Sequence, residues 1–151
     1  MTLSEKINNT VRNVPDFPKP GIIFKDITPL LADAKALNDC CEKIASYAKD
    51  ADYIAGIEAR GFILASAVAV LSGKGFIPIR KSGKLPGQVI SQSYELEYGQ
   101  ATLEIHSDLV PAGKKVLIVD LQTRFNIIRD YLTWKLSKKK EVIVDESRRT
   151  S

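Results

Sequence analysis

The sequence predicts an α/β protein with a central, mostly parallel sheet flanked by helices, and three features predict it. An apolar strand, Tyr53 to Ile57, leads through a charged Glu58-Ala59-Arg60-Gly61 turn into an Ala-rich helix, Phe62 to Leu71. A second apolar strand follows from Gly75 to Arg80, and such alternation closes as parallel strands joined by a right-handed crossover. Val116-Leu117-Ile118-Val119 is an unbroken apolar run ending in Asp120, the pattern of a central strand buried on both faces. A length of 151 residues suits one domain with a real core, and 44% hydrophobic with 26% charged residues is ordinary for a globular chain.

The remaining elements follow in chain order. Lys6 to Val14 reads as a short amphipathic start. Pro15, Pro18, Pro20 and Gly21 exclude regular helix and force an extended, turning path. Ile22-Ile23-Phe24 is a short apolar strand or hook, and Lys25-Asp26-Ile27-Thr28-Pro29 comes next. A helix is expected over 33–49, with Leu37, Cys41, Ile44 and Ala48 on one face. After Arg80, the segment Lys81-Ser82-Gly83-Lys84-Leu85-Pro86-Gly87 reads as a basic, mobile loop. Two alternating segments, Gln88 to Leu96 and Ala101 to His106, form an antiparallel excursion joined at Glu97-Tyr98-Gly99. Pro111-Ala112-Gly113 makes a turn before the buried strand. Beyond it, Phe125, Ile128, Leu132 and Leu136 keep helical spacing, which predicts a helix over 125–137, and the sequence allows a strand over 141–145. The last residues, 146–151, are expected to be disordered. The chain contains no internal repeat.

Composition narrows the function classes. The net charge of +4 is not spread over the chain: residues 1–120 carry fourteen Lys and Arg against fourteen Asp and Glu, so all of it belongs to 121–151. That tail carries no recognised nucleic-acid motif, and nucleic acid is not an expected partner. No apolar run approaches the ~20 residues that span a bilayer, so no membrane is expected. The first six residues contain an acid and no apolar stretch, unlike a secretory signal, and a cytoplasmic location is expected. Cys40 and Cys41 are helix neighbours pointing about 100° apart, hence buried thiols rather than a disulfide or metal pair.

The chemistry-bearing residues cluster at strand ends. A charged turn that leaves a strand and opens a helix is where open α/β sheets bind ligands. Helix-start N–H groups and the Arg60 guanidinium suit phosphate or pyrophosphate, although a surface pair of Glu58 with Arg60 would explain the turn equally well. Phe24 could stack on a flat ligand or plug the space beneath the hook. Arg80, Lys81 and Lys84 are either an anion-binding loop or merely a solvated one. His106 is the sole histidine.

Taken in order, several segments resemble the adenine phosphoribosyltransferases of the type I phosphoribosyltransferase fold. They are Val14-Pro15-Asp16-Phe17-Pro18-Lys19-Pro20-Gly21-Ile22-Ile23-Phe24-Lys25-Asp26, Glu58-Ala59-Arg60-Gly61-Phe62, Arg80-Lys81-Ser82-Gly83-Lys84-Leu85-Pro86 and Tyr94-Glu95-Leu96-Glu97-Tyr98-Gly99. The resemblance covers residues 7–120. It implies a phosphoribosyltransferase core over 1–120 with a small N-terminal hood, followed by an atypical basic tail over 121–151. It also implies condensation of adenine with phosphoribosyl pyrophosphate to AMP and pyrophosphate, with Mg²⁺, in a homodimer. Carried onto this chain, Ile23, Phe24 and Lys25 would hold adenine, and Glu58, Ala59, Arg60, Lys81 and Lys84 the pyrophosphate. Glu97 and Arg80 would be catalytic, with Tyr98 beside Glu97, His106 on the pyrophosphate side and Asp120 on the ribose.

The pattern departs after Asp120. The family follows its buried strand with a second acid and a loop rich in Gly and Thr that wraps the 5′-phosphate. Here Leu121-Gln122-Thr123-Arg124-Phe125 follows, without glycine, and side chains there would block close approach of backbone to phosphate. The chain also stops some tens of residues before the family pattern does. The expectation is therefore an adenine phosphoribosyltransferase of impaired turnover, the alternative being a non-catalytic purine-binding or dimerising remnant.

Overall fold

The structure, a computed structural model, describes residues 2–96, 99–109, 111, 113–121, 127–136 and 140–145. The N-terminal helix α1 (Leu3–Thr10) opens on a capping box, in which Thr2 Oγ1 accepts from the Glu5 amide and the Glu5 carboxylate accepts from the Thr2 amide. Strands β1 (Arg12–Pro15) and β2 (Ile23–Asp26) then pair antiparallel as a separate ribbon, with Val14 opposite Phe24. The hook is thus a two-stranded hood outside the main sheet.

Helix α2 (Thr28–Ala32) has Pro29 in its first turn, and α3 (Ala34–Ala45) is capped by Asp33, whose carboxylate accepts from the Ala36 amide at 3.0 Å. The helix expected over 33–49 stops at Ala45. Tighter bonds take over, from Tyr47 N to Ile44 O and from Ala48 N to Ala45 O, both 3.0 Å. The Lys74 ammonium then donates to the carbonyls of Ala48, Lys49 and Ala51 in the turns that follow the helix. Cys40 and Cys41 are buried free thiols of α3, and burial pushes Cys40 up to about 11.

Strand β3 (Tyr53–Ile57), helix α4 (Arg60–Ser72) and strand β4 (Gly75–Lys81) form the expected crossover unit. They are followed by β5 (Val89–Leu96), β6 (Gly99–His106), β7 (Lys115–Leu121), β8 (Ile127–Leu136) and β9 (Lys140–Asp145). These strands make one seven-stranded sheet in the order β5-β6-β4-β3-β7-β8-β9. Its parallel part is the centre, where β3 pairs with β4 and β7, and antiparallel hairpins extend it on both sides.

Strand alternation divides the core. Ile54, Leu117 and Val119 point to the face covered by α3 and α4, where they pack with Ile44, Leu64 and Val68. Ala55, Val116 and Ile118 point to the other face, with Ile77, Ile79 and Ile105. Helix α4 approaches β3 unusually closely. A Cβ on Gly56 would lie 2.7 Å from both Ala65 Cβ and the Gly61 carbonyl oxygen, so only glycine fits there.

One expectation fails in the described part of the tail. Residues 127–136 run as strand β8, antiparallel to β7 with Asp120 opposite Ile128, where the spacing of Ile128, Leu132 and Leu136 predicts helix. The same stretch is dense in Ile127, Ile128, Tyr131, Thr133 and Trp134, side chains that favour a pleated ladder. The open edge of β7 supplies that ladder, and pairing there satisfies a row of backbone groups. Phe125 lies outside the described residues, as does 146–151. Among the described residues no helix is long and apolar enough to cross a membrane.

Candidate active site

The hood forms because its turn is locally locked. Asp16 takes a left-handed φ of 54°, its carboxylate accepts from the Gly21 amide at 2.9 Å, and Phe17 N donates to Ile22 O at 3.2 Å. The Phe17-Pro18 peptide is cis. This closure sets the Phe17 ring edge-on to Phe24, with centroids 5.2 Å apart at 69°. Phe24 is half-buried against that ring and does not plug the main core, while Ile23 is 62% exposed. Lys25 is held by Asn13, its ammonium 2.5 Å from Oδ1. Asp26 anchors the ribbon's base through Arg12 at 3.1 Å and through the hydroxyl and amide of Thr28, bonds that hold its carboxyl below the usual range. The next residue, Ile27, is buried in the core beneath α4.

The second group gathers at the carboxyl ends of β3 and β4. Glu58 follows β3 directly, its amide donating to Ile79 O at 3.0 Å, and the Glu58-Ala59 peptide is cis. Its carboxylate turns toward β4, accepting from the Lys81 amide at 2.7 Å and lying 3.4 Å from Arg80 Nε. That Arg80 nitrogen is buried and not aligned for a hydrogen bond, so the contact is charge attraction at short range. The Lys81 amide bond, with the Arg80 charge behind it, holds the Glu58 carboxyl below its ordinary value. Glu58 therefore pairs with Arg80, not with Arg60. Arg60 is half-buried as the first residue of α4, whose N-cap Ala59 supplies no side-chain cap. Among the described residues, Arg60, Lys81 and Lys84 take part in no ion pair. An uncapped helix start beside unpaired cations is an anion-attracting edge.

The structure thus places the sequence candidates in two groups, Ile23-Phe24-Lys25 on the hood and Glu58, Ala59, Arg60, Arg80, Lys81 and Lys84 at the strand ends. His106 lies on β6 opposite Val89, and no hydrogen bond or ion pair joins it to either group among the described residues. Asp120 ends the buried run beside Ile128. Glu97 and Tyr98 lie outside the described residues. Among those described, no group of three or more His, Cys, Asp or Glu converges to hold a metal.

One charged residue escapes sequence reasoning. Glu104 is 8% exposed, faces Arg80 across the β4–β6 ladder, and accepts from the Gly83 amide at 2.6 Å and the Ser91 hydroxyl at 3.0 Å. Period-2 reading of Leu103-Glu104-Ile105 puts Glu104 on the polar face of a hairpin. Its burial depends on β4 and the loop after it, which nothing local announces.

A parallel centre carrying a charged turn and a basic loop at its carboxyl edge, together with a separate proline-rich hood, defines an α/β protein of the type I phosphoribosyltransferase fold. Comparison with known proteins agrees and goes further. An adenine phosphoribosyltransferase of Halothermothrix orenii is 57% identical over 117 residues, covering 76% of this chain and 69% of the relative. The crystal structure of the Thermoanaerobacter pseudethanolicus enzyme superposes with a TM-score of 0.70 at 52% identity, covering 80% of this chain and 70% of that one. The Saccharomyces cerevisiae enzyme, crystallised with adenine and an imino-altritol bisphosphate, gives 0.71 at 34% identity over 79% and 71% of the two chains. No protein-family model matches the chain. The chain belongs to the adenine phosphoribosyltransferase family of purine salvage.

Proposed function

We propose that this chain binds adenine at the hood and phosphoribosyl pyrophosphate at the β3–β4 edge, and joins them to AMP. The reaction breaks the bond from C1′ to the pyrophosphate oxygen, forms a bond from C1′ to a ring nitrogen of adenine, and releases that nitrogen's proton. Negative charge grows on the departing pyrophosphate, and Arg60, Arg80, Lys81 and Lys84 are the cations placed to receive it. Main-chain groups of Ile23 to Lys25 read the purine edge while Phe24 stacks on its face. Glu97, with Tyr98 beside it, positions adenine or stabilises the sugar cation, His106 stands on the pyrophosphate side, and Asp120 holds the ribose. Mg²⁺ would travel on the donor's own oxygens and neutralise part of their charge. The working form is a cytoplasmic homodimer.

The observation that carries this reading is the meeting of Glu58, Arg80 and Lys81 just before α4, with Arg60 in no ion pair among the described residues. Turnover is slow in this reading, at least ~100-fold below an intact family member. After Asp120 the chain offers no glycine, and β7 is followed by strand β8, so the described residues supply no helix N-terminus for the 5′-phosphate. The deficit equals about 2.7 kcal/mol of transition-state binding, a modest loss for a whole phosphate cradle. AMP formation from adenine and saturating donor with Mg²⁺ tests both parts. Slow but measurable AMP supports the reading, turnover near ~10 s⁻¹ removes the deficit, and adenine binding without any AMP leaves a non-catalytic purine binder.

A further inference from the structure

The loop after β4 carries its cations on a backbone whose amides are hydrogen-bonded. Four consecutive amides are occupied: Lys81 N donates to Glu58 at 2.7 Å, Ser82 N to Thr102 O at 3.1 Å, Gly83 N to Glu104 at 2.6 Å, and Lys84 N to Lys81 O at 3.2 Å. Arg80 Nη1 reaches the Lys84 carbonyl at 3.5 Å, closing the turn from the other side. Gly83 sits at φ +84°, a conformation other residues rarely adopt. The side chains of Lys81 and Lys84 nonetheless stay exposed.

Two carboxylates supply this anchoring, and they differ. Glu58 belongs to the charged turn itself. Glu104 sits one strand away on β6, nearly inaccessible to water, and its second oxygen is fixed by Ser91. A buried carboxylate is costly unless its oxygens are satisfied. Here they are satisfied by an amide of the cationic loop and a hydroxyl of the neighbouring strand.

We propose that Glu104 is a positioning residue for pyrophosphate. It holds the Lys81–Lys84 turn in the shape that presents both ammonium groups, so the ordering cost is met before the anion arrives. This rests on the reading that these lysines receive pyrophosphate. Substitution of Glu104 should release Gly83 and weaken anion binding without touching the hood.

Amide exchange at Gly83 and calorimetry with pyrophosphate and with adenine, on the full chain, test the proposal. In Glu104→Ala, Gly83 exchange should accelerate and pyrophosphate affinity fall about tenfold, the scale of one lost charged hydrogen bond. Adenine affinity should not change. Glu104→Gln keeps an acceptor oxygen for Gly83 and should recover most of the affinity. Should Glu104→Ala not fold, Ser91→Ala frees one carboxylate oxygen and should lower pyrophosphate affinity about threefold, the smaller effect of a neutral donor. Unchanged pyrophosphate affinity in the Ala variants, or equal losses for pyrophosphate and adenine, overturns the positioning role. A wild-type chain that binds no pyrophosphate, with Gly83 still protected, instead overturns the anion reading on which the role depends.

Discussion

Phe24 and Glu58 show how far single residues can be read. Phe24 is an aromatic in a proline-rich hook, and the sequence leaves open whether it stacks on a ligand or fills the interior. The structure sets it half-buried against Phe17 in a ribbon outside the main sheet, with one face steered by that neighbour. Phe24→Ala should therefore weaken adenine binding by about 1–3 kcal/mol, the worth of one base–aromatic stack. Equal adenine titrations of the two proteins would move the base elsewhere. Glu58 was visible as a charge in a turn, but its partner was not, because Arg80 lies a helix and a strand further on. Its lowered pKa has a definite sign. The carboxylate's contribution is fully present above the ordinary glutamate value and is lost as pH falls through the lower folded value. Acidification should thus free the Lys81 amide only below the range where free glutamate titrates. Carboxyl NMR titration against Glu58→Gln checks this, and a Glu58 midpoint at or above the ordinary value would contradict it.

Elements were more legible than pairings. Tyr53–Ile57 has its expected bounds because five apolar residues stop at a charge, and α4 and β4 differ from expectation by only a few residues. The stretch 127–136 failed because its apolar residues fit both periods, and a free strand edge decided between them. Glu104 was illegible for a related reason: hairpin alternation cannot foresee which third strand will bury it. The contact between β3 and α4 yields a sharper test. Gly56→Ala puts a methyl 2.7 Å from the Gly61 backbone, which cannot yield as a flexible side chain would. We expect a loss of about 1–3 kcal/mol in denaturant unfolding. Pyrophosphate affinity should fall with it, since Gly61 follows Arg60 directly. A variant of unchanged midpoint and affinity would mean that the turn tolerates displacement.

For the whole molecule, charge placement matters more than net charge. Acids and bases balance through residue 120 and the net +4 lies in 121–151, so what the core itself offers pyrophosphate is a few cations at one edge. Lys81 and Lys84 are exposed, and solvent-borne charges are screened beyond ~8–10 Å at physiological salt. Pyrophosphate affinity should fall steeply as salt rises, whereas adenine affinity, resting on stacking and main-chain bonds, should hardly respond. Parallel salt series by calorimetry check the contrast, and equal slopes would remove the electrostatic account. The mixed sheet has the same logic of place: a parallel centre brings two strand ends and one helix start to a single edge, and the β5–β6 hairpin beside it anchors the loop after β4 through Thr102 and Glu104.

Burial of Ile27, one residue past the hood ribbon, pins the downstream end of that ribbon to the core. Downstream, Leu30 and Ile44 are buried among their neighbours. Upstream, Ile7 of α1 is buried as well, so the ribbon is held at both feet. The far end, with Phe17, Ile22 and Ile23 exposed, is the part of the hood that the core does not hold.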